Sequence, residues 1–264
     1  MSRISELFAK KKERVLNIYC TAGFPKPDST LKVMKALQDN GADMIELGMP
    51  YSDPLADGPV IQHSSTIAIA NGMTIAVLFE QLRNMRNPDS PLGVGGVSMP
   101  VILMGYMNPV LQYGFEKFCK DAAAVGIDGL ILPDLPIHEF ETEYGAVIKK
   151  YGLDFIFLVT PETADERIKK LDELSSGFLY AVSSSSTTGS DKNMGDAEKY
   201  LQKLKAMKLK NPVLVGFGIK DKPTFEAACK YAGGAIIGSA FIKALETNNS
   251  VENSVKAFLD AVLA

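Results

Sequence analysis

The sequence has few of the residues that most often carry metal, disulfide or nucleophilic chemistry. Its 264 residues include two histidines, three cysteines and no tryptophan. The cysteines have neither CxxC nor metal-ligand spacing, so neither a disulfide framework nor a zinc site is indicated. With so little histidine, a His-centred triad or a multi-His metal site is not expected either. Acid–base chemistry therefore falls mainly to carboxyl groups.

The sequence also lacks a strong charge of either sign and a long apolar run. Its 28 Lys and Arg against 31 Asp and Glu give a net charge of −3, which provides no long-range attraction to nucleic acid or anionic membranes. No apolar run approaches the roughly 20 residues that span a bilayer. The N-terminal residues have no apolar core of a secretory signal. These absences predict a cytoplasmic protein that binds neither nucleic acid nor membrane.

Short apolar runs do recur along the chain, separated by segments of helical period. Eight of them predict strands: Leu16–Thr21, Met44–Gly48, Val101–Tyr106, Leu130–Asp134, Phe155–Thr160, Phe178–Ser183, Val213–Phe217 and Ala235–Ile237. Strands that alternate with helices pair in parallel through right-handed crossovers.

Eight such units predict an α/β fold, a single (β/α)8 TIM barrel with eight parallel strands. About 33 residues are available for each unit, enough for a strand, a helix and two turns. Residues 1–264 then form one domain, with the active site at the carboxyl ends of the strands. The competing doubly wound sheet would carry G-x-G-x-x-G after the first strand, where the sequence has none.

Strand Met44–Gly48 contains a carboxyl group in an apolar setting. Its alternation directs Met44, Glu46 and Gly48 to the barrel interior and Ile45 and Leu47 to the helices. An apolar wall raises the pKa of a carboxyl group, which suits Glu46 to general acid catalysis. The alternative is a structural glutamate paired with Lys or Arg.

The loop after this strand is dense in Pro, Asp and Gly. Asp53 and Asp57 are typical turn formers, which is one interpretation of both. However, three prolines stiffen the loop, so it can hold one carboxyl group over the mouth of the barrel. Together with Glu46, it would place two carboxyl groups on opposite sides of a substrate.

Glycine-containing segments follow the last two predicted strands. Gly216-Phe217-Gly218 ends one strand, and Gly238-Ser239 follows the other and opens a short helix. Barrels commonly bind phosphate at these two loops, although the glycines also fit simple tight turns. The Ser- and Thr-rich run Ser183–Gly189 is long enough for a lid, and is otherwise a surface loop.

The run Gly41–Gln62, which contains both Glu46 and Asp57, closely resembles the signature of the tryptophan synthase α subunit family. Further matching motifs occur in the family's order: Thr21–Pro25, Gly105–Pro109, Leu132–Pro136, Gly216–Ile219 and Gly238–Ala240. The resemblance extends from Ile4 to the C-terminus.

The resemblance implies retro-aldol cleavage of indole-3-glycerol phosphate to indole and glyceraldehyde 3-phosphate, a carbon–carbon lyase step in tryptophan biosynthesis. Glu46 matches the residue that moves protons at indole C3 and the glycerol hydroxyl. Asp57 matches the residue that accepts a hydrogen bond from the indole N–H. The reaction needs no metal and no cofactor on this chain.

The resemblance also assigns the remaining site residues. The substrate-binding positions are Tyr19, Tyr106, Ile131, Tyr180, Thr188 and Phe217, and the phosphate-binding positions are Gly189, Gly218, Gly238 and Ser239. Thr188 and Gly189 match lid residues that close over Asp57. Where many members carry Ser-Arg-x-Gly-Val-Thr-Gly, this chain has Ser183–Gly189 without the Arg and the internal Gly, which affects the expected kinetics of the lid rather than the reaction.

The resemblance further implies a partner, a pyridoxal-phosphate β subunit that receives indole through a tunnel in an α2β2 heterotetramer. Asp53 and Met107–Asn108 would lie toward it. Three alternatives stay open: a phosphoribosyl isomerase on the same barrel, a regulatory subunit with weak catalysis, and a free-standing variant that releases indole. The isomerase would need an acid at the end of strand one or five, where the sequence has Cys20-Thr21 and Val159-Thr160.

Overall fold

The structure is a computed structural model that describes residues 2–90, 96–182, 194–216, 218–247 and 249–264. A nine-strand sheet with parallel pairing lies at its centre. The strands are β1 (Val15–Thr21), β2 (Met44–Gly48), β3 (Val101–Met104), β4 (Gly129–Ile131), β5 (Asp154–Phe155), β6 (Leu158–Val159), β7 (Leu179–Val182), β8 (Val213–Gly216) and β9 (Gly234–Ile237). Their order in the sheet is β5-β4-β3-β2-β1-β9-β8-β7-β6.

Helices precede the first strand, follow the last, and occupy the connections between consecutive paired strands, as parallel pairing requires. They are α1 (Arg3–Lys10), α2 (Ser29–Asp39), α3 (Pro59–Ala70), α4 (Ile75–Leu82), α5 (Met107–Tyr113), α6 (Phe115–Ala124), α7 (Ile137–Glu139), α8 (Gly145–Lys150), α9 (Asp165–Leu174), α10 (Met194–Ala206), α11 (Lys222–Cys229), α12 (Ser239–Leu245) and α13 (Val251–Leu263). A π-helical segment, Phe140–Tyr144, joins α7 to α8.

Seven of the eight predicted strands are confirmed with small shifts at their ends, but the predicted strand Phe155–Thr160 is divided into β5 and β6. The division lies where this segment exchanges one neighbour for another. β5 pairs with β4, whereas β6 pairs with β7. Between them, Ile156 N–H donates to Leu130 O at 3.0 Å, and Phe157 O accepts from Tyr180 N–H at 3.0 Å.

The two faces of the sheet bury separate sets of side chains. Met44, Ile102 and Ile236 belong to a cluster on the inner face, whereas Ile45 and Leu47 pack with the surrounding helices. The alternation predicted for β2 is therefore correct, and it directs Glu46 to the inner face.

Helix α1 covers the amino ends of the strands. Ser2 caps it by accepting a hydrogen bond from Ser5 N–H at 3.2 Å, and its buried residues Ile4 and Phe8 join the inner cluster. Ile4 is close to the Cα positions of Gly129 and Gly177, which lie near the starts of β4 and β7. The opposite end of the sheet, where the strands finish, carries the candidate site.

In the described part of the chain, no individual helix has the length and hydropathy needed to cross a bilayer. Only α3 and α4 meet the requirement when taken as a pair, and they are bent by 84° relative to each other.

Candidate active site

Glu46 lies in the middle of the sheet, next to Tyr19 on β1 and Ile102 on β3. Its side chain is buried, with 1% exposure. Burial raises the pKa of Glu46 to about 8, with a further increase from the charge of Asp57. Asn17 acts in the opposite direction, since its Nδ2 donates a hydrogen bond to Glu46 Oε2 at 3.3 Å. The predicted increase in the pKa of Glu46 is therefore present.

Asp57 follows β2 in the loop before α3 and is partly buried. Burial raises the pKa of Asp57 to about 6, while a hydrogen bond from the Tyr106 hydroxyl opposes the increase. That hydroxyl donates to Asp57 Oδ2 at 3.1 Å and accepts from Ala56 N–H at 3.1 Å. Tyr106, predicted as a substrate-binding residue, thus also holds the loop and its carboxyl group.

Tyr19 and Tyr180 border the two carboxyl groups from β1 and β7. Burial, followed by the charges of Asp57 and Glu46, raises the pKa of both phenols well above the ordinary value, so both stay protonated. Each phenol lies against a glycine: a Cβ added at Gly48 would be 2.1 Å from Tyr19 Oη, and one at Gly216 would be 2.1 Å from Tyr180 Oη. Side chains at these two positions would displace the tyrosines.

Ile131, at the end of β4, is fully buried in the inner cluster with Tyr180. Its side chain faces the inner side of the sheet at the carboxyl end of β4. The predicted contact with a substrate would be made at this end of the strand.

The predicted phosphate-binding residues that the structure describes lie after β8 and β9. Gly218 has a φ of +76° and open space where a Cβ would be. Gly238 precedes α12, no side chain caps this helix, and Ser239 is its exposed first residue. A helix N-terminus offers backbone N–H donors to an anion. A Cβ at Gly238 would lie 3.6 Å from Tyr19 Cβ, so this helix end adjoins the carboxyl site.

Three predicted site residues, Thr188, Gly189 and Phe217, lie outside the described residues, together with the candidate lid from Ser183 onward. Within the described ranges, no group of three or more His, Cys, Asp or Glu side chains is arranged to hold a metal ion. Burial, followed by the charge of Glu46, raises the pKa of the nearby Cys20 thiol to about 12, so this group is not a thiolate nucleophile.

Sequence reasoning missed Asn17, the hydrogen-bonding partner of Glu46. The signal that would have found it is the same alternation used for β2, because Asn17 is two residues before Tyr19 and shares its face of β1. A fully buried amide among inward-facing apolar residues is uncommon enough to indicate a role.

Two carboxyl groups of raised pKa at the carboxyl ends of parallel strands, bordered by protonated tyrosines, define an α/β enzyme that performs acid–base chemistry. Comparison with known families gives its identity. The family model described as "Tryptophan synthase alpha chain" matches residues 5–262. The chain belongs to the tryptophan synthase alpha chain family, as its sequence motifs predict.

Individual relatives match over nearly the whole length. The tryptophan synthase alpha chain of Flavobacterium johnsoniae is 51% identical over 251 residues, 95% of this chain and 96% of the relative. That of Bacteroides thetaiotaomicron is 45% identical over 263 residues, 99% of this chain and 100% of the relative.

Solved structures agree with the sequence relatives. Tryptophan synthase subunit alpha from Legionella pneumophila superimposes with a TM-score of 0.87 at 34% identity, covering 99% of this chain and 97% of its own. A chain of tryptophan synthase from M. tuberculosis in its aminoacrylate-bound form gives 0.84 at 30% identity, covering 99% and 98%. The family cleaves indole-3-glycerol phosphate to indole and glyceraldehyde 3-phosphate, a lyase reaction, and works with a β subunit. The predicted reaction class is therefore confirmed.

Proposed function

We propose that this chain cleaves indole-3-glycerol phosphate by general acid–base catalysis, with Glu46 as the proton-transferring group and Asp57 as the hydrogen-bond acceptor for the indole N–H. The observation that carries the proposal is the buried Glu46, whose pKa of about 8 leaves it protonated at neutral pH beside the second carboxyl group, Asp57. A group that is protonated at neutral pH and titrates close to it serves first as an acid and then as a base.

The reaction begins when Glu46 donates its proton to indole C3. The ring nitrogen supplies the electron density, and the developing positive charge is stabilised by the Asp57 carboxylate through the N–H. The Glu46 carboxylate then removes the proton of the glycerol hydroxyl. The hydroxyl carbon becomes the aldehyde as its bond to C3 breaks, and the electron pair of that bond returns to the ring. Glu46 ends the cycle protonated, so no cofactor is required on this chain.

Binding is proposed to use residues around these two groups. Tyr19, Tyr106, Ile131 and Tyr180 would enclose the indole and glycerol portions, together with Phe217 and Thr188. Gly218, Gly238 and Ser239, with Gly189, would bind the phosphate. The uncapped helix end at Gly238 and its closeness to Tyr19 support a phosphate position adjacent to the carboxyl groups.

The sheet is proposed to be an eight-stranded (β/α)8 barrel in a single domain, residues 1–264. In this interpretation β5 and β6 are the two ends of one interrupted strand. The hydrogen bonds from Ile156 to β4 and from Tyr180 to Phe157 support it, because they connect this segment to both of its neighbours.

A pyridoxal-phosphate β subunit is proposed to receive the indole in an α2β2 assembly. The exposed loop residue Leu55, 94% accessible, and exposed Asn108, which donates to Tyr51 Oη at 3.0 Å, support a partner surface beside Asp53. The Met107 side chain is buried, so it would contribute through its backbone or through packing. The cytoplasmic location stays a prediction.

Indole release from indole-3-glycerol phosphate by the isolated chain tests this proposal. We expect Glu46→Gln and Asp57→Asn each to abolish nearly all release while circular dichroism shows an intact fold. Exposed Glu246→Gln is the matched control and should keep the wild-type rate. Wild-type turnover in either site variant would refute the assignment.

Titration with β subunit distinguishes the two remaining alternatives. Strong release without the β subunit favours a free-standing enzyme. A mainly regulatory subunit is favoured if the chain releases very little indole alone while both Glu46→Gln and Asp57→Asn still activate the β subunit.

A further inference from the structure

Asn17 is a fully buried polar side chain on the inner face of β1. Its neighbours in register are Met44 on β2 and Ile236 on β9, both members of the apolar inner cluster. Its Nδ2 donates to Glu46 Oε2 at 3.3 Å, whereas its Oδ1 is buried with no hydrogen-bonding partner among the described residues. The amide therefore has one donor in use on the Glu46 carboxyl group and an acceptor that no described residue uses.

An amide side chain exchanges its donor and acceptor by a half-turn of its terminal torsion. A carboxylate can only accept hydrogen bonds and so needs a donor, while a carboxylic acid can also donate its own O–H and so can use an acceptor. Asn17 meets the first requirement with Nδ2 and the second, after the half-turn, with Oδ1. Leu or Val at this position would meet neither.

We propose that Asn17 is a positioning residue for Glu46, and that its amide turns to hydrogen-bond the carboxyl group in both of its protonation states. The inference rests on the proposed function, in which Glu46 alternates between acid and base. Asn17 makes the one hydrogen bond given to the Glu46 side chain within the described part of the chain. The O–H of the acid turns from Asn17 Oδ1 to indole C3 when the proton is transferred, and the amide then donates to the carboxylate. The carboxyl group therefore keeps a partner in its resting acid form and in its ionised form.

Glu46 is surrounded by the neutral Asn17 amide and by four ionisable groups. They are the Asp57 carboxyl from the following loop, the Tyr19 hydroxyl and Cys20 thiol on β1, and the Tyr180 hydroxyl on β7. The phenols and the thiol stay neutral, so Asp57 is the charge that opposes ionisation of Glu46. Because the hydrogen bond donated to the charged carboxylate is the stronger of the two, Asn17 favours ionisation, and its removal should shift the titration of Glu46 to higher pH.

Asn17→Leu tests the proposal, with Asn17→Val as a smaller second variant and Met44→Leu as the matched control from the same layer. We expect the kcat for indole release to decrease by about tenfold with KM unchanged, because Asn17 acts through Glu46 and does not touch the substrate. The alkaline limb of the pH profile should move up by about one unit, since a donor to the charged form is lost. Stability toward urea should increase in at least one variant, because the unpaired Oδ1 is removed.

Titration of Glu46 by carbon NMR with carboxyl-labelled glutamate, assigned with Glu46→Gln, gives a readout independent of turnover. We expect an upward shift with Asn17→Leu and none with Met44→Leu. The inference is overturned by a wild-type kcat and titration in both variants, by an increase in KM alone, or by a loss of stability in both that accounts for the lost activity. If the wild type releases no indole, the proposed function fails, and the NMR titration still decides whether Asn17 controls Glu46.

Discussion

The burial of Glu46 favours catalysis but opposes folding at high pH. The pKa of a glutamate is ordinarily near 4.5, whereas that of folded Glu46 is about 8. Below pH 4.5 both the folded and the unfolded state hold the proton, so the ionisation of Glu46 does not lower the free energy of unfolding. Between pH 4.5 and 8 only the folded state holds it, so the free energy of unfolding decreases as pH rises. Above pH 8 both states have lost the proton, so the decrease in the free energy of unfolding is complete.

Glu46→Gln should therefore stabilise the protein in a pH-dependent way. We expect little change in the free energy of unfolding at pH 4 and a clear increase at pH 9, because glutamine has no proton to lose. Urea unfolding at the two pH values measures the difference. The same gain at both would mean that Glu46 is not protonated in the folded state near neutral pH.

Tyr106→Phe removes a single hydroxyl that contacts both Asp57 Oδ2 and Ala56 N–H. The carboxylate loses a donor, so the pKa of Asp57 should rise above about 6. We expect a decrease in kcat/KM of about tenfold, in line with the loss of a hydrogen bond to a charged group. The acid limb of the pH profile should move to higher pH. An unchanged rate and profile would show that the loop holds Asp57 without Tyr106.

Strands β2 and β8 each end in a glycine, Gly48 and Gly216. A tyrosine from the neighbouring strand lies against each of them. At Gly48 the limiting contact is steric, since a Cβ would be 2.1 Å from Tyr19 Oη and 2.5 Å from its Cζ. We expect Gly48→Ala to lower the free energy of unfolding by about 1–3 kcal/mol, the range for overpacked sites.

A double-mutant cycle tests this cause. When Tyr19 is shortened in Tyr19→Ala, the added methyl group has room, so Gly48→Ala should lose most of its effect on urea unfolding in that background. Equal effects in the two backgrounds would show that the glycine is required by the backbone of β2 instead.

The strands were largely predictable, because apolar runs of strand length and the alternation in β2 reflect burial on both faces of a parallel sheet. The division between β5 and β6 was not, since it depends on which neighbours the segment bonds. Helix α1 was also missed. Its apolar stripe is only Ile4, Leu7 and Phe8, and its burial comes from covering the strand ends, a tertiary effect.

The two carboxyl groups were predictable because they lie in one short segment, Glu46 on the strand and Asp57 in the loop that follows. Their surroundings come from distant segments. Tyr180 reaches the site through the pairing of the sheet, and Asn17 through the register of β1 with β2. Pattern reasoning identifies such residues one at a time, whereas hydrogen-bonding partners require the folded arrangement.

The proposed reaction depends on protonated Glu46 acting together with ionised Asp57. The pH dependence of kcat/KM for indole release by the isolated chain reports the ionisation of both groups. We expect a bell-shaped profile with limbs near 6 and 8, from the pKa values of Asp57 and Glu46. Because a phosphate monoester also titrates near 6, the alkaline limb is the decisive one. Activity should decrease above about pH 8, and activity that keeps rising through pH 9 would show that protonated Glu46 is not required.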